Sequence, residues 1–130
     1  MMNIPEPLPA SGFDVPLRAS FTVFRSLPLL GVSTNSASPR LTLFPDRVEY
    51  KVIARVAKRY DEIHAVDVRQ TLGTQNAILF PRGGMFAFSG NLGEEMALVA
   101  LLAYFERRNV PLTPRAKALR DKALSDKALH

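Results

Sequence analysis

Three polar residues stand close enough in the chain to do chemistry together: Glu62, His64 and Asp67, in the stretch YDEIHAVD that starts at Tyr60. In an extended strand residues two apart share a side, so Glu62 and His64 can face one space with Asp67 nearby. A carboxylate beside an imidazole can work as a general acid-base pair or supply two ligands to a metal. Neither arrangement is complete. The other histidine is the terminal His130, there is no Cys, and no nucleophile elbow or glycine-rich phosphate loop occurs. A polar strand edge accounts for Glu62 and His64 better than an active site, so no catalytic residue, metal ligand or cofactor is expected.

The remaining candidates are basic or aromatic. Arg25 and Arg40 flank a long loop, and Lys58 and Arg59 lie close to Arg55, so these four (Arg25, Arg40, Lys58, Arg59) are the candidate contacts to an anionic ligand. Phe44, Tyr50, Phe80, Phe86 and Phe88 alternate with Arg47, Lys51 and Arg82, a pattern that can stack nucleic-acid bases. Aromatics at alternating strand positions more often fill a core, and nucleic acid is not favoured as a partner. Gly83-Gly84 has no following helix and no Lys-Ser/Thr, so it reads as a hairpin turn and not a phosphate cradle.

The elements that must position these residues are bounded by composition. At 130 residues the chain suits one domain with tails, and 47% hydrophobic with 22% charged residues is the balance of a folded protein. The lack of Cys removes disulfide, thiolate-zinc and cysteine-nucleophile functions and fits a reducing, cytoplasmic setting. The opening MMNIPEPLPASGFDVP has no basic start before an apolar core, so no export signal is expected, and no apolar run is long enough to cross a bilayer. Most of the net charge of +5 is carried from Glu106 onward, where seven basic residues face three acidic ones. Such a tail attracts anionic surfaces nonspecifically and in a salt-dependent way.

Residues 1–19 read as a proline-stiffened lead-in with little to bury, although Phe13, Val15 and Leu17 alternate and can form an edge strand. Strands are expected over Ala19–Arg25, Arg40–Phe44, Arg47–Ala54 and Arg55–Tyr60, then around Val66–Val68, Ala77–Phe80 and Met85–Phe88. Ile63 and Val66 lie three apart, which breaks the period of two and predicts a local turn or bulge before Val66. Ser26–Pro39 is a long loop, apolar over Leu27–Val32 and Ser/Asn-rich after it. The connections between strands are too short for parallel crossovers, so the sheet is antiparallel.

One long helix follows, Gly93–Asn109, with Asn91 as its expected cap and Glu94 completing a capping box. Leu98, Leu101, Leu102 and Phe105 form one stripe. Met96, Val99, Ala103 and Tyr104 form a second apolar face, which is the candidate surface for a protein partner or a homo-oligomer. After Val110-Pro111-Leu112, Thr113-Pro114 can cap a further helix. Its repeat KALRD KALSD KALH turns successive leucines to different sides, so no leucine stripe is expected, and Leu112–Leu119 is the part most suited to dock.

A meander of short antiparallel strands closed by one C-terminal amphipathic helix resembles the pleckstrin-homology (PH)-like barrel, in particular the bacterial PH-domain families. The similar features are LTLFPDRVEYKV, the Ile63-x-x-Val66 pattern in YDEIHAV, the strands around Arg82-Gly83-Gly84 and the helix leading into RRNVPLTPRA. The resemblance covers about residues 20–112. It implies an α+β, mainly β, antiparallel small barrel of six or seven strands closed by the helix; residues 113–130 beyond it read as a basic, partly helical tail. It also implies a non-enzymatic interaction module, acting through protein contacts or self-assembly. Lipid-binding PH domains carry several Lys and Arg in the loop after the first strand. Here no basic residue lies between Arg25 and Arg40, so phosphoinositide binding does not carry over. The alternative to protein contacts is a weak peripheral contact with an anionic membrane surface or lipid headgroup through Arg25, Arg40 and the basic tail.

Overall fold

The computed structural model describes residues 2–24, 39–51, 55–71, 73–84 and 86–128. Arg25, the Leu27–Val32 stretch and Val52–Ala54 lie outside these residues. Alternating apolar positions produce eight strands among the described residues: β1 (Phe13–Asp14), β2 (Ala19–Phe24), β3 (Leu41–Leu43), β4 (Arg47–Lys51), β5 (Arg55–Arg59), β6 (Ile63–Arg69), β7 (Asn76–Pro81) and β8 (Phe86–Asn91). Two helices follow, α1 (Glu95–Arg107) and α2 (Pro114–Ala128). The strands make two antiparallel four-stranded sheets, ordered β1-β3-β4-β5 and β2-β8-β7-β6. The protein is thus mainly β, with two helices added. No described helix is long and apolar enough to cross a membrane.

Both sheets and α1 contribute to one core, which includes Leu41, Leu43 and Val48 from the first sheet and Val66, Leu79 and Phe88 from the second. The rings of Tyr50 and Phe88 bridge the sheets with centroids 5.2 Å apart. The bulge falls where the spacing predicts it: the β6–β7 register shifts between Ile63 and Ala65, which lets Ile63 and Val66 both point inward, each fully buried. Gly83 and Gly84 adopt left-handed φ values of 74° and 80° in the β7–β8 turn, a conformation that carries a steric cost for residues with a Cβ.

The start of α1 differs from the expected capping box. Asn91 is the last residue of β8, and its side-chain oxygen accepts hydrogen bonds from the Gln75 and Gly93 N–H groups, both at 2.9 Å. It therefore stitches the turn before the helix. The N-cap is Glu94, without a side-chain cap bond, and the Leu98 N–H donates to its carbonyl at 3.1 Å.

The expected docking of Leu112–Leu119 is seen, and the helix it starts runs on through the described part of the tail. Thr113 caps it, its hydroxyl oxygen accepting from the Ala116 N–H at 3.2 Å, and Pro114 occupies the first turn where its missing donor costs nothing. Leu112, Ala116 and Leu119 are buried and Ala123 packs against the core. The docked stripe is therefore built with alanines between leucines, while Leu124 is 58% exposed. Arg120 of α2 pairs with Glu106 of α1. The lead-in also buries more than its composition suggests: Leu8 is 5% exposed, Met2 and Ile4 pack on the core, and Glu6 pairs with Arg107 at 3.5 Å.

Candidate functional site: a basic row on the outer sheet

The hairpin register aligns three cations. Leu41 pairs with Tyr50 and Tyr50 with Val56, which puts these three in one inward row. One step along, Lys51 pairs with Arg55, and the Lys51 N–H donates to the Arg40 carbonyl at 3.4 Å. Arg40, Lys51 and Arg55 therefore occupy one cross-strand row on the opposite, outer side, and all three are exposed. With neighbouring strands about 4.8 Å apart, the row spans about 10 Å of sheet. Like charges directly across a ladder oppose pairing, so the row is a local electrostatic cost to the folded sheet.

A cleft of about 140 Å³ lies here, lined by Arg40, Lys51 and Arg55 together with Glu49 and Tyr50. Its one carboxylate is already engaged: Glu49 pairs with Arg47 at 2.9 Å. Among the described residues no carboxylate pairs with Arg40, Lys51 or Arg55. Burial pushes the Tyr50 phenol up to about 12, so at neutral pH it is uncharged. The arrangement presents three positive groups to a small anion, while the Tyr50 ring points inward against Phe88.

The four sequence candidates for anion contact thus divide. Arg40 belongs to the row. Arg25 lies outside the described residues. Lys58 is half-buried on the inward row beside Val48. Arg59 lies at the far end of β5, bonded to Asp61 at 3.1 Å and near Glu62 at 3.9 Å. It lines a second, shallower cleft of about 350 Å³ with Pro45, Asp46, Tyr60, Asp61, Arg108 and Asn109. Lys51 and Arg55 complete the row, and their alignment with Arg40 depends on the strand register.

The expected second face of α1 is mostly covered. Tyr104 is fully buried, Val99 is 8% exposed and Ala103 is half-buried, while Met96 is 46% exposed. Tyr104 is anchored by chemistry as well as packing. The Tyr60 hydroxyl donates to the Phe44 carbonyl at 2.6 Å, and the Tyr104 hydroxyl, 2.6 Å away, can then donate to the Tyr60 oxygen. Burial, then hydrogen bonding to Tyr104, raises the Tyr60 phenol far above its usual range; burial raises Tyr104 as well. The Arg108 guanidinium lies over both rings, 5.4 and 5.2 Å from their centroids.

Glu62 and His64 do not form an acid-base pair with Asp67. Glu62 sits in a 3-10 turn, where its carboxylate accepts the Arg59 N–H at 2.9 Å, and His64 is exposed on β6. Asp67 is buried and fully engaged. It accepts the Thr113 hydroxyl at 2.6 Å, the Arg115 guanidinium at 2.6 and 3.2 Å, and the Val68 N–H at 2.8 Å. Burial works against its ionisation, but the hydrogen bonds from Arg115, Thr113 and Val68 outweigh it and hold the carboxyl below its usual range. Asp67 is thus a clamp between β6 and the start of α2. Among the described residues no group of three His, Cys, Asp or Glu could hold a metal ion. No protein-family model, curated protein or solved structure matches the chain.

Proposed function

We propose that this chain is a non-enzymatic, PH-like binding module that takes phosphate-bearing anions on the Arg40–Lys51–Arg55 row. The observation that carries the reading is the row itself, three exposed cations side by side across adjacent strands with no carboxylate partner among the described residues. Folding alone does not favour such an alignment, whereas a bound anion would turn its repulsion into attraction. The PH-like part of the reading is supported by strand order. Two three-stranded meanders, β3-β4-β5 and β6-β7-β8, lie in separate sheets that share one core, β2 adds to the second at β8, and α1 follows β8 onto that core. The engagement of Glu62 with Arg59 and of Asp67 with Arg115 supports the non-enzymatic part.

The test is sedimentation with anionic and zwitterionic vesicles at low and high salt, run beside calorimetry with inorganic pyrophosphate. Binding to pyrophosphate alone identifies a soluble ligand, and binding to anionic vesicles alone a membrane surface. In either case Lys51→Glu should weaken binding at least tenfold. Absence of both at low salt, or binding that Lys51→Glu leaves unchanged, overturns the reading and shifts any residual attraction to the basic tail. Self-assembly through α1 is the weaker alternative, because α2 and the core leave Met96 as the one large apolar residue of that helix more than a third exposed. Light scattering that shows a monomer at high concentration removes it.

A further inference from the structure

The edges of the two sheets are treated differently. β1 is only two residues long. The β6 edge is closed by the chain itself: the Val66 N–H donates to the Pro111 carbonyl at 2.9 Å, the Thr113 N–H donates to the Val66 carbonyl at 3.0 Å, and the Val68 N–H is taken by the Asp67 side chain at 2.8 Å. β5 has the length of an ordinary strand and, among the described residues, no backbone partner on its outer side.

Which groups are free on that side follows from the ladder. Phe44 donates to the Arg47 carbonyl at 2.8 Å and Lys51 to the Arg40 carbonyl at 3.4 Å, so Arg47, Glu49 and Lys51 bond toward β3. Antiparallel alternation then directs Val48 and Tyr50 toward β5, where they face Lys58 and Val56. Arg55, Ala57 and Arg59 consequently aim their backbone groups outward. The Arg59 N–H is already accepted by Glu62 at 2.9 Å, which marks one limit. Arg55 and Ala57 remain, enough to pair a short strand.

We infer that the β5 edge takes an acidic extended segment of a partner protein, added as a ninth strand. Charge decides the occupant. β5 reads RVAKR, with three cations in five residues. A second copy pairing antiparallel about Ala57 would set Arg55 against Arg59 of the other copy, a like-charge opposition that disfavours self-addition. A segment with acidic residues four apart would instead meet Arg55 and Arg59, place a small residue across from Ala57, and set apolar residues beside half-buried Val56. The exposed Arg59–Asp61 pair is weak enough to be exchanged for this contact. The inference stands apart from the anion site except that Arg55 belongs to both.

The test uses the full chain and a labelled peptide, acetyl-TEVSVET-amide, followed by fluorescence anisotropy and amide chemical shifts. Binding should perturb Arg55 and Ala57 amides and should fall at least tenfold in Ala57→Pro, which removes an outward N–H and leaves the β4 ladder intact. The double variant Arg55→Glu with Arg59→Glu should prefer acetyl-TKVSVKT-amide over the acidic peptide. N-methylation of the peptide's central Ser amide should abolish binding, and this arm holds even if Ala57→Pro fails to fold. Lys51→Glu should weaken pyrophosphate binding with less than a twofold effect on the peptide, which separates this inference from the anion site. No binding of the acidic peptide, binding indifferent to N-methylation, or equal binding of the acidic and basic peptides overturns it.

Discussion

Replacing Asp67 with alanine should release the start of α2 from β6. The carboxylate accepts from Thr113, from Arg115 at two nitrogens and from the Val68 N–H. Hydrogen bonds to a charged group contribute about 1.5–3 kcal/mol each, but the Arg115 side chain is 66% exposed, so its share is cut to under about 1 kcal/mol by solvent screening. Part of the remainder is offset by the cost of burying the charge. A net loss of about 3 kcal/mol follows, near 10 °C in Tm for a chain of this size. The pH dependence is a second signature. The folded pKa of Asp67 is lowered, so its contribution is fully present above the unfolded value of about 3.9 and is lost as pH falls through the folded value. Urea unfolding followed by circular dichroism should therefore show a constant difference between wild type and Asp67→Ala from pH 6 to 8, shrinking below about pH 4. A loss below about 1 kcal/mol at pH 7, or a difference that does not shrink in acid, would refute the clamp.

Two further predictions concern α2 and the tyrosines. Leu119→Ala removes a side chain only 8% exposed and should cost about 2–3 kcal/mol, whereas Leu124→Ala, at a position 58% exposed, should change stability by less than about 0.5 kcal/mol; paired thermal melts check both. All three tyrosines, Tyr50, Tyr60 and Tyr104, have phenols raised by burial, so at pH 10.5 the folded protein should show less tyrosinate absorbance than the unfolded chain. Because these folded values lie above the unfolded value of about 10, their contribution to stability is complete below that pH and fades as pH rises further; as much tyrosinate in the folded protein as in the unfolded chain at pH 10.5 would contradict the Tyr60–Tyr104 packing.

Much of the fold was legible because its signals are local. The Ile63-x-x-Val66 spacing could bury both residues only through a bulge, and the Pro45-Asp46 and Gly83-Gly84 turns set the strand ends on either side. Asn91 misled because a side-chain oxygen that accepts neighbouring N–H groups serves a turn as well as a helix cap. In the tail the docking of Leu112–Leu119 was legible, but leucine spacing alone did not reveal that Ala116 and Ala123 carry the buried stripe along with Leu112 and Leu119. Asp67 carried no local signal at all, since Thr113 and Arg115, its main partners, lie 46 and 48 residues away. The candidate site sat between these cases. Arg40 was identifiable by type, but its neighbours Lys51 and Arg55 depend on register, which composition does not encode.

The two surface proposals share a cause in the way the tail is used. Leu112, Ala116 and Leu119 bury apolar surface, and Pro111–Thr113 closes the β6 edge. The chain thereby satisfies the side of the molecule that apolar content alone would mark for a partner. What remains open is the outer side of β3-β4-β5, where Thr42 is tied to Asp14 and Arg47 to Glu49, but Arg40, Lys51 and Arg55 are left without carboxylates among the described residues. Attraction there is electrostatic before it is apolar, so binding at either proposed site should be faster and tighter at low ionic strength, with the salt effect acting mainly on association. An apolar interface would show the opposite, a dissociation constant little changed between low and moderate salt. Stopped-flow association rates measured across salt concentration distinguish the two, and a flat dependence would place the working surface elsewhere than on this sheet.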